Sequence, residues 1–262
     1  MITWAQVAGS LVLVGVAVAL SIWRRLPLER DIGWAVLRAF VQLLALGYVI
    51  KAIFDAGRVA YAIPVLVVMV VFGALTARNR APGVPHGFPI LVLSIGVALA
   101  ATLGLALAVG TIDATSRTLI PIGGAVVGQS MVAAALALSR LEFEIRTERR
   151  EIEARLSLGA TSRQAVDPIL RRSLTTGMLN TVDSTKTAGI VAIPGTTVGM
   201  LLAGAAPLDA IRLQLVLFYL LIGGTAITVV LATSIAATGF FTPAHQLREP
   251  LAPRSRRLGL MR

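Results

Sequence analysis

The amino-acid sequence predicts an all-α integral membrane protein with about seven transmembrane helices and a long cytoplasmic helical elbow between spans 5 and 6. Of its 262 residues, 56% are hydrophobic and only 14% are charged, whereas soluble domains carry about 25% charged residues. The mean hydropathy is +0.82. Apolar runs of about 20 residues, the length that crosses a bilayer, recur along the whole chain.

Seven such runs predict the spans. They lie at roughly 4–22, 33–54, 59–77, 88–110, 118–138, 174–204 and 210–237. The first run has no basic region in front of it, which favours a retained span over a cleaved signal. No polar stretch is long enough to fold as a separate soluble domain. We therefore interpret residues 1–262 as a single transmembrane domain that ends in a basic tail at 240–262.

The distribution of Lys and Arg predicts the orientation of the spans. The predicted connections on one side hold 18 of these residues and those on the other side hold four. The rich set comprises 23–32, 78–87, 139–173 and the tail from 240. Because cytoplasmic loops collect positive charge, the N-terminus is predicted outside and the C-terminus in the cytoplasm. The net charge of +11 then reflects topology, and no nucleic-acid partner is predicted.

Residues 139–173, here called the elbow, form the one long polar segment between apolar runs. Eight arginines and six carboxylates leave it a net charge of +2, too balanced for an arm that binds nucleic acid. The charges favour a helix, since Glu142 with Arg146, Arg149 with Glu153, and Glu151 with Arg155 stand four residues apart. An apolar stripe at the same period consists of Leu141, Ile145, Ile152 and Leu156.

Three signals predict breaks inside the elbow. Gly159 suits the position just after a helix. Thr161 and Gln164 are spaced as a capping box for a short second helix. Asp167-Pro168 suits the start of a third helix. A short transverse helix between two longer ones is a shape suited to docking a partner.

Polar residues inside the predicted spans are candidates for a transport pathway, because burying them in lipid is costly. Arg38 and Gln42 share one face of the second span, although Arg38 could equally extend to the membrane surface. Gln129 and Ser130 lie in the fifth span. Just before them, Gly124 and Gly128 form a GxxxG step that predicts close helix packing within the protomer or across a dimer axis.

The sixth span carries the densest polar cluster, with Asp183, Ser184 and Lys186 near its start. Asp183 and Lys186 are three residues apart and could form an ion pair, either lining a cavity or lying at the membrane surface. Pro194-Gly195 predicts a kink or break. A second GxxxG step joins Gly195 to Gly199. These features predict a mobile helix that lines the pathway.

The sequence shows no catalytic constellation. It has no cysteine and two histidines, and it contains neither a P-loop nor a zinc-protease motif. We therefore predict no enzymatic activity and no cofactor. Active transport would need an ion gradient or a partner ATPase, so an ion-coupled secondary carrier remains an alternative, although such a carrier has no need of the elbow.

Two stretches of sequence favour a partner ATPase over an ion gradient as the energy source for transport. Glu153-Ala154-Arg155-Leu-Ser-Leu-Gly159 resembles the Glu-Ala-Ala-x-x-x-Gly loop of ABC-transporter permeases, except that Arg155 replaces the second alanine. Over roughly 35–235 the chain resembles the UPF0014 family, small seven-span permeases that include bacterial iron exporters and plant aluminium-resistance permeases. This second resemblance rests on four blocks: 40–47, 121–131, 149–160 and 183–195.

The resemblance implies a permease that forms a homodimer in the bacterial cytoplasmic (inner) membrane and binds a separate ATP-binding-cassette subunit. It implies coupling through six elbow residues: Glu153, Ala154, Gly159, Ala160, Thr161 and Gln164. It also suggests export of iron or another metal ion. Asp183 is the single candidate metal ligand within the spans, so an organic anion or nucleotide-sugar steered by Arg38 and Lys186 stays open.

Overall fold

The structure is a computed structural model that describes residues 4–24 and 29–248. Nine α-helices account for most of these described residues, which otherwise contain two isolated β-bridges and no strand. Six helical segments within them are long and apolar enough to cross a bilayer, and the predicted all-α membrane class is confirmed. They are Ala5–Trp23, Glu29–Ala56, Val59–Arg80, Gly87–Ala108, Ser116–Thr147 and Pro207–Gly239.

The chain forms two compact units, one up to Gly57 and one from Arg58 onward. The first unit consists of α1 (Trp4–Trp23) and α2 (Glu29–Ala56), which pack against each other. None of the residues of α2 is buried. Its apolar side chains therefore need lipid or another protein surface around them.

The second unit is a helical bundle built around its last helix. Its helices are α3 (Ala62–Arg80), α4 (Gly87–Ala108), α5 (Ser116–Thr147), α6 (Arg149–Ser157), α7 (Ser162–Thr187), α8 (Gly195–Leu202) and α9 (Pro207–Gly239). Helix α9 packs against α4, α5 and α7, and α5 also packs against α3 and α7. The core of the unit therefore lies where α5, α7 and α9 meet.

Glycines allow these three helices to approach closely. A Cβ atom added to Gly177 on α7 would lie 2.9 Å from Ala137 Cβ and 3.0 Å from the backbone oxygen of Ala133, both on α5. A Cβ atom on Gly224 of α9 would lie 2.9 Å from Val126 Cγ1. Since real Cβ contacts are not this short, α5 leaves room for no residue larger than glycine at either position.

The glycines of the two GxxxG steps have a different environment. Gly124 lies near Met69 of α3, with 3.4 Å between its added Cβ and Met69 Sδ. Added Cβ atoms on Gly128, Gly195 and Gly199 would meet no atom within 4 Å. These three do not mediate helix packing within the second unit, and their contact across a dimer axis stays a prediction.

Hydrogen bonds at the two ends of the second unit agree with the predicted grouping of loops. At one end Gly83 N donates to Glu142 Oε2 (3.0 Å) and Ser139 Oγ donates to Arg80 O (2.9 Å). At the other end Ser116 Oγ donates to Arg58 O (3.1 Å). The connection 78–87 and the elbow, both rich in arginine, thus share one end. The predicted connection 23–32 lies partly outside the described residues.

The prediction of a single sixth span at 174–204 is wrong. Helix α7 ends at Thr187, and α8 begins only at Gly195. The chain leaves the helix through Ala188 and Gly189, whose φ of +81° is a left-handed conformation that glycine adopts without strain. Pro194 occupies the N-cap of α8. The predicted break therefore exists, but it begins well before Pro194.

The prediction that Asp167-Pro168 starts a third elbow helix is also wrong. Both residues lie inside α7, which runs from Ser162 to Thr187 without interruption. The capping box starts the helix earlier, and Asp167 instead binds Arg171 (2.7 Å). A proline lacks the N–H that would bond the carbonyl four residues before it, here that of Gln164. Arg155 Nη1 donates to the neighbouring carbonyl, Ala165 O (3.0 Å), and so joins α6 to this turn of α7.

Candidate functional site

The elbow is held together by ion pairs. The three predicted pairs are confirmed, with N–O distances of 2.8 Å for Arg146–Glu142, 2.8 Å for Arg149–Glu153 and 2.6 Å for Arg155–Glu151. Three residues of the predicted apolar stripe, Leu141, Ile145 and Ile152, are buried, and Leu156 is half-buried. The stripe does not lie on one helix as predicted, because the helix is interrupted at Glu148, between α5 and α6. Surface pairs of this kind stabilise a helix by about a few tenths of a kcal/mol each. Each pair therefore contributes little to the stability of the elbow, although together they favour its helical conformation.

A second set of ion pairs joins α5 to α7. Arg172 donates to Glu144 Oε2 (2.7 Å) and to Glu148 Oε1 (2.6 Å), and Arg140 also pairs with Glu144. Glu144 is buried, with only 3% of its surface exposed. The hydrogen bond to Glu144 raises the pKa of the Arg172 guanidinium above its usual value. The Arg172 guanidinium in this contact therefore stays charged at physiological pH.

Helix α6 and the residues after it form a sharp, ordered turn. Gly159 has a φ of +90° and follows the end of α6, as predicted. Thr161 accepts a hydrogen bond from Gln164 N, and Gln164 Oε1 accepts one from Thr161 N (2.9 Å), so the predicted capping box is confirmed. It opens the long α7, however, so the short helix predicted at this position is wrong. The short helix of the elbow is α6, which lies between the long helices α5 and α7. Residues 158–161 are called the coupling turn below.

The coupling turn presents a large apolar side chain to solvent. Leu158, the C-cap of α6, is 88% exposed. The sequence analysis missed it because it lies outside the apolar stripe. Leu158 could have been noticed because it stands directly before Gly159, the glycine that was predicted to end the helix. Glu153, Ala154 and Thr161 are also exposed and Ala160 is half-buried, so the predicted coupling residues surround Leu158.

Arg155, which departs from the alanine of the permease loop, links the two arms of the elbow. It pairs with Glu151 within α6 and donates to Ala165 O of α7. An alanine could make neither contact. The departure therefore has a structural reason: Arg155 binds α6 to the first turns of a helix that contains Pro168.

Replacing Arg155 by alanine is expected to loosen the elbow and lower the free energy of unfolding by about 1 kcal/mol, the usual value for one such hydrogen bond with a partly exposed ion pair. The measurement is thermal unfolding of the purified protein in detergent. Arg171→Ala is the matched control, because Arg171 pairs with its own-helix neighbour Asp167 and 78% of its side chain is exposed. Equal effects of the two changes would contradict the linking role.

A polar layer crosses the helix contacts of the second unit. Gln129 Nε2 on α5 donates to Thr181 Oγ1 on α7 (2.8 Å), and Thr181 Oγ1 donates to Thr225 Oγ1 on α9 (3.4 Å). Ser130, beside Gln129, is fully buried, and its hydroxyl group has no hydrogen-bond partner among the described residues. The predicted residue Gln129 thus meets Thr181 and Thr225, which the sequence analysis missed. Thr181 lies two residues before Asp183, beside the predicted polar cluster, and Thr225 lies in an apolar stretch.

The other predicted pathway residues lie elsewhere. Asp183, Ser184 and Lys186 are exposed near the end of α7. The proposed pair between Asp183 and Lys186 is wrong, since no ion pair joins these two described residues. Lys186 stands in the last turn of α7, where free carbonyl groups favour a cation without a carboxylate. Arg38 and Gln42 are exposed on α2, in the first unit.

A resident metal cage is absent from the part of the chain that the structure describes. No group of three or more His, Cys, Asp or Glu side chains within it could hold a metal ion. Asp183, the predicted candidate ligand, is exposed near the end of α7.

The fold and the elbow define a multi-pass helical membrane protein with an ordered, charged helical segment at one end. Comparison with known proteins identifies its family: the chain belongs to the "Uncharacterised protein family (UPF0014)", whose pattern matches residues 4–241. The resemblance inferred from the sequence blocks is confirmed. No solved structure matches the chain.

Curated relatives come from plants and bacteria. The chain is 36% identical to "UPF0014 membrane protein STAR2" of Oryza sativa subsp. japonica over 90% of this chain and 83% of that protein. It is 34% identical to "Protein ALUMINUM SENSITIVE 3" of Arabidopsis thaliana over 92% and 88%. It is 33% identical to "Probable iron export permease protein FetB" of Escherichia coli (strain K12) over 94% and 95%.

Proposed function

We propose that this chain is the permease subunit of an ATP-binding-cassette transporter that exports a metal ion, with ATP hydrolysed by a separate subunit. Two copies would form the pathway in the bacterial cytoplasmic membrane, with the elbow on the cytoplasmic side. The printed name of the Escherichia coli relative, "Probable iron export permease protein FetB", supports a permease that exports its substrate and makes iron the first substrate to test.

The observation that carries the proposal is the exposed Leu158 at the tip of a stiff, ion-paired elbow. A leucine that is 88% exposed is not unusual alone. Here it stands on a turn whose shape is held by Gly159 and a capping box, in a segment rich in charge. Docking of this turn into a cleft of the ATP-binding subunit would remove Leu158 from water and stabilise the complex.

Helix α7 connects the coupling turn to the polar layer. It runs without a break from Ser162, beside the turn, to Thr181, which binds Gln129 of α5. A displacement of the turn by the ATP-binding subunit would therefore reach Thr181 through a single helix. The nonhelical residues 188–194 follow directly and would absorb the movement.

The groups along the pathway favour a cation that prefers oxygen ligands. The polar layer offers the amide of Gln129 and the hydroxyl groups of Ser130, Thr181 and Thr225. The chain has no cysteine, and soft metals prefer sulfur ligands. An organic anion or nucleotide-sugar, guided by the exposed Arg38 and Lys186, is the alternative substrate class. An ion-coupled secondary carrier is the alternative mechanism.

The test is reconstitution in nanodiscs with a candidate ATP-binding-cassette subunit identified by its co-purification with this chain. ATP hydrolysis is measured with Fe(II), Fe(III), Mn(II), Zn(II) and a panel of organic anions. Stimulation by a metal ion supports the proposal, and stimulation by an organic anion alone would change the substrate class. Transport in proteoliposomes that needs an ion gradient and no ATPase would favour the secondary carrier.

Asp183→Asn and Lys186→Gln are each expected to reduce substrate-stimulated ATP hydrolysis while changing the free energy of unfolding by less than about 0.5 kcal/mol. Both side chains are exposed, and surface changes of this kind have small effects on stability. Thermal unfolding and hydrolysis are measured on the same samples. If the variant that carries both changes hydrolyses ATP at the normal rate, neither Asp183 nor Lys186 belongs to the transport pathway.

A further inference from the structure

The ion pairs of the elbow reveal where its excess charge lies. All six of its carboxylates, those of Glu142, Glu144, Glu148, Glu151, Glu153 and Asp167, are paired with arginines. Two of its eight arginines, Arg150 and Arg163, take part in none of these pairs and in no hydrogen bond between described residues. Both side chains are exposed. The net charge of +2 therefore belongs to these two guanidinium groups.

A short C-terminal hairpin, residues 240–248, packs against the elbow beside these arginines. It closes on itself through Thr242 N to Gln246 O (2.8 Å) and Arg248 N to Phe240 O (2.8 Å). Its His245 Nδ1 is hydrogen-bonded to Ser162 Oγ, and its Arg248 O accepts from Arg149 Nη1 (3.4 Å). The hairpin thus touches both arms of the elbow, α6 and the start of α7.

The two arginines without a partner among the described residues are sequence neighbours of the residues that make these contacts. Arg150 follows Arg149 on α6, and Arg163 follows Ser162 on α7. Arg248 adds a third guanidinium group that has no carboxylate partner among the described residues, and its Nε donates to the backbone oxygen of Phe241 (3.1 Å). Residues 240–248 contain no acidic side chain of their own. The surface shared by hairpin and elbow is therefore basic.

Between the hairpin and α6 lies a cleft of about 480 Å³, lined by Glu153, Leu156, Ser157 and Ala160 of the elbow and by Ala244, His245, Gln246 and Leu247 of the hairpin. The coupling turn forms one of its edges, since Ala160 belongs to both. The exposed Leu158 and the cleft are therefore parts of one continuous surface, a projection beside a recess.

We propose that the coupling turn and the C-terminal hairpin form one docking surface for the ATP-binding subunit, which meets Arg150, Arg163 and Arg248 with carboxylate side chains and inserts a segment into the cleft. This inference rests on the proposed function and adds the hairpin and the charge of the partner to it. A protein segment fits a recess of this volume, whereas a flat bilayer surface would reach only exposed arginines and would leave the recess empty.

The first test compares the affinity of two double variants for the ATP-binding subunit that co-purifies with the wild-type chain. R150A/R163A removes the unpaired arginines. R171A/R212A removes the same charge from two exposed arginines that have carboxylate partners, Asp167 and Asp209. Exposed charge pairs contribute modestly to binding, and their contribution depends on the salt concentration. R150A/R163A is therefore expected to weaken binding about tenfold at low salt and to make the affinity less dependent on salt. The affinity of the control variant is expected to stay within about twofold of the wild-type value.

The second test uses the absence of cysteine from the chain. Ala244→Cys places one thiol in the cleft, and Ala114→Cys places one in the connection at the opposite end of the unit; both positions are exposed. Bound ATP-binding subunit is expected to slow maleimide labelling at position 244 at least tenfold and to leave position 114 unchanged. Labelling at position 244 before mixing is expected to prevent binding.

The outcomes separate the two proposals. If the wild-type chain binds no ATP-binding subunit, the proposed function fails and this inference fails with it. If the wild type binds and Leu158→Asp abolishes binding, but R150A/R163A binds normally and the thiol of the Ala244→Cys variant stays unprotected, only the present inference is overturned. An effect of R150A/R163A seen in nanodiscs with anionic lipid and absent with neutral lipid would assign the arginines to headgroups, which also overturns it.

Discussion

Leu158→Asp is expected to weaken binding of the ATP-binding subunit by about 10- to 100-fold and to abolish substrate-stimulated hydrolysis, while the protein stays folded. Burial of a leucine side chain contributes about 1.5–3 kcal/mol, and each 1.4 kcal/mol changes an equilibrium constant about tenfold. Aspartate removes that contribution and would bring an unpaired carboxylate into an apolar cleft. The side chain is 88% exposed in the isolated chain, so its own fold should not change.

Leu208→Asp is the control for this result. Leu208 is 67% exposed and lies in the first turn of α9, at the opposite end of the unit. Affinity is measured by pull-down and titration in nanodiscs, and folding by thermal unfolding. If Leu158→Asp binds and hydrolyses like Leu208→Asp, the coupling turn is not the docking element.

Two further substitutions test the shape of the coupling turn. Proline cannot adopt the φ of +90° found at Gly159, so Gly159→Pro should destroy the turn. Ala160→Asp leaves the backbone free and adds a charge at the edge of the cleft. Both are expected to uncouple hydrolysis from substrate, and both are measured beside Leu158→Asp.

Gly177→Ala is expected to lower the free energy of unfolding by about 1–3 kcal/mol, the usual range for added volume in a close-packed core. The new methyl group would lie 2.9 Å from Ala137 Cβ and 3.0 Å from Ala133 O. The second of these is a backbone atom, so α7 would have to move away from α5. This movement would also lengthen the hydrogen bond between Gln129 and Thr181, and transport should fall.

Gly128→Ala is the matched control, on the facing helix α5. An added Cβ atom there meets nothing within 4 Å, and alanine favours a helix over glycine. Stability of the single chain should be unchanged or slightly higher. Gly128→Leu tests the dimer: loss of the dimer would assign Gly128 to its interface, and a stable, active dimer would direct that face towards lipid. A Gly177→Ala variant as stable as Gly128→Ala would contradict the close packing.

The features that were predicted correctly from the sequence alone depend mostly on residues that lie close together in the chain. The ion pairs four residues apart in the elbow, the end of α6 at Gly159 and the capping box of Thr161 and Gln164 depend on neighbours within four residues. Span positions depend on the mean polarity of about 20 residues. The grouping of 78–87 with 139–173 at one end follows from counting arginines. Such features need no knowledge of which helices touch.

Only the tertiary structure decided the features that join distant residues. Pro168 predicted a new helix, but α7 runs through this residue without a break. Arg155 of α6, ten residues before Ala165, donates to the carbonyl of that residue and joins the two helices. Spacing predicted a pair between Asp183 and Lys186, yet both side chains remain separate on an exposed helix end. The close contacts fell on Gly177 and Gly224 because α5 and its neighbours approach there, which a GxxxG pattern within one helix does not specify. Helix contacts depend on which faces meet, and that depends on the packing of the whole bundle.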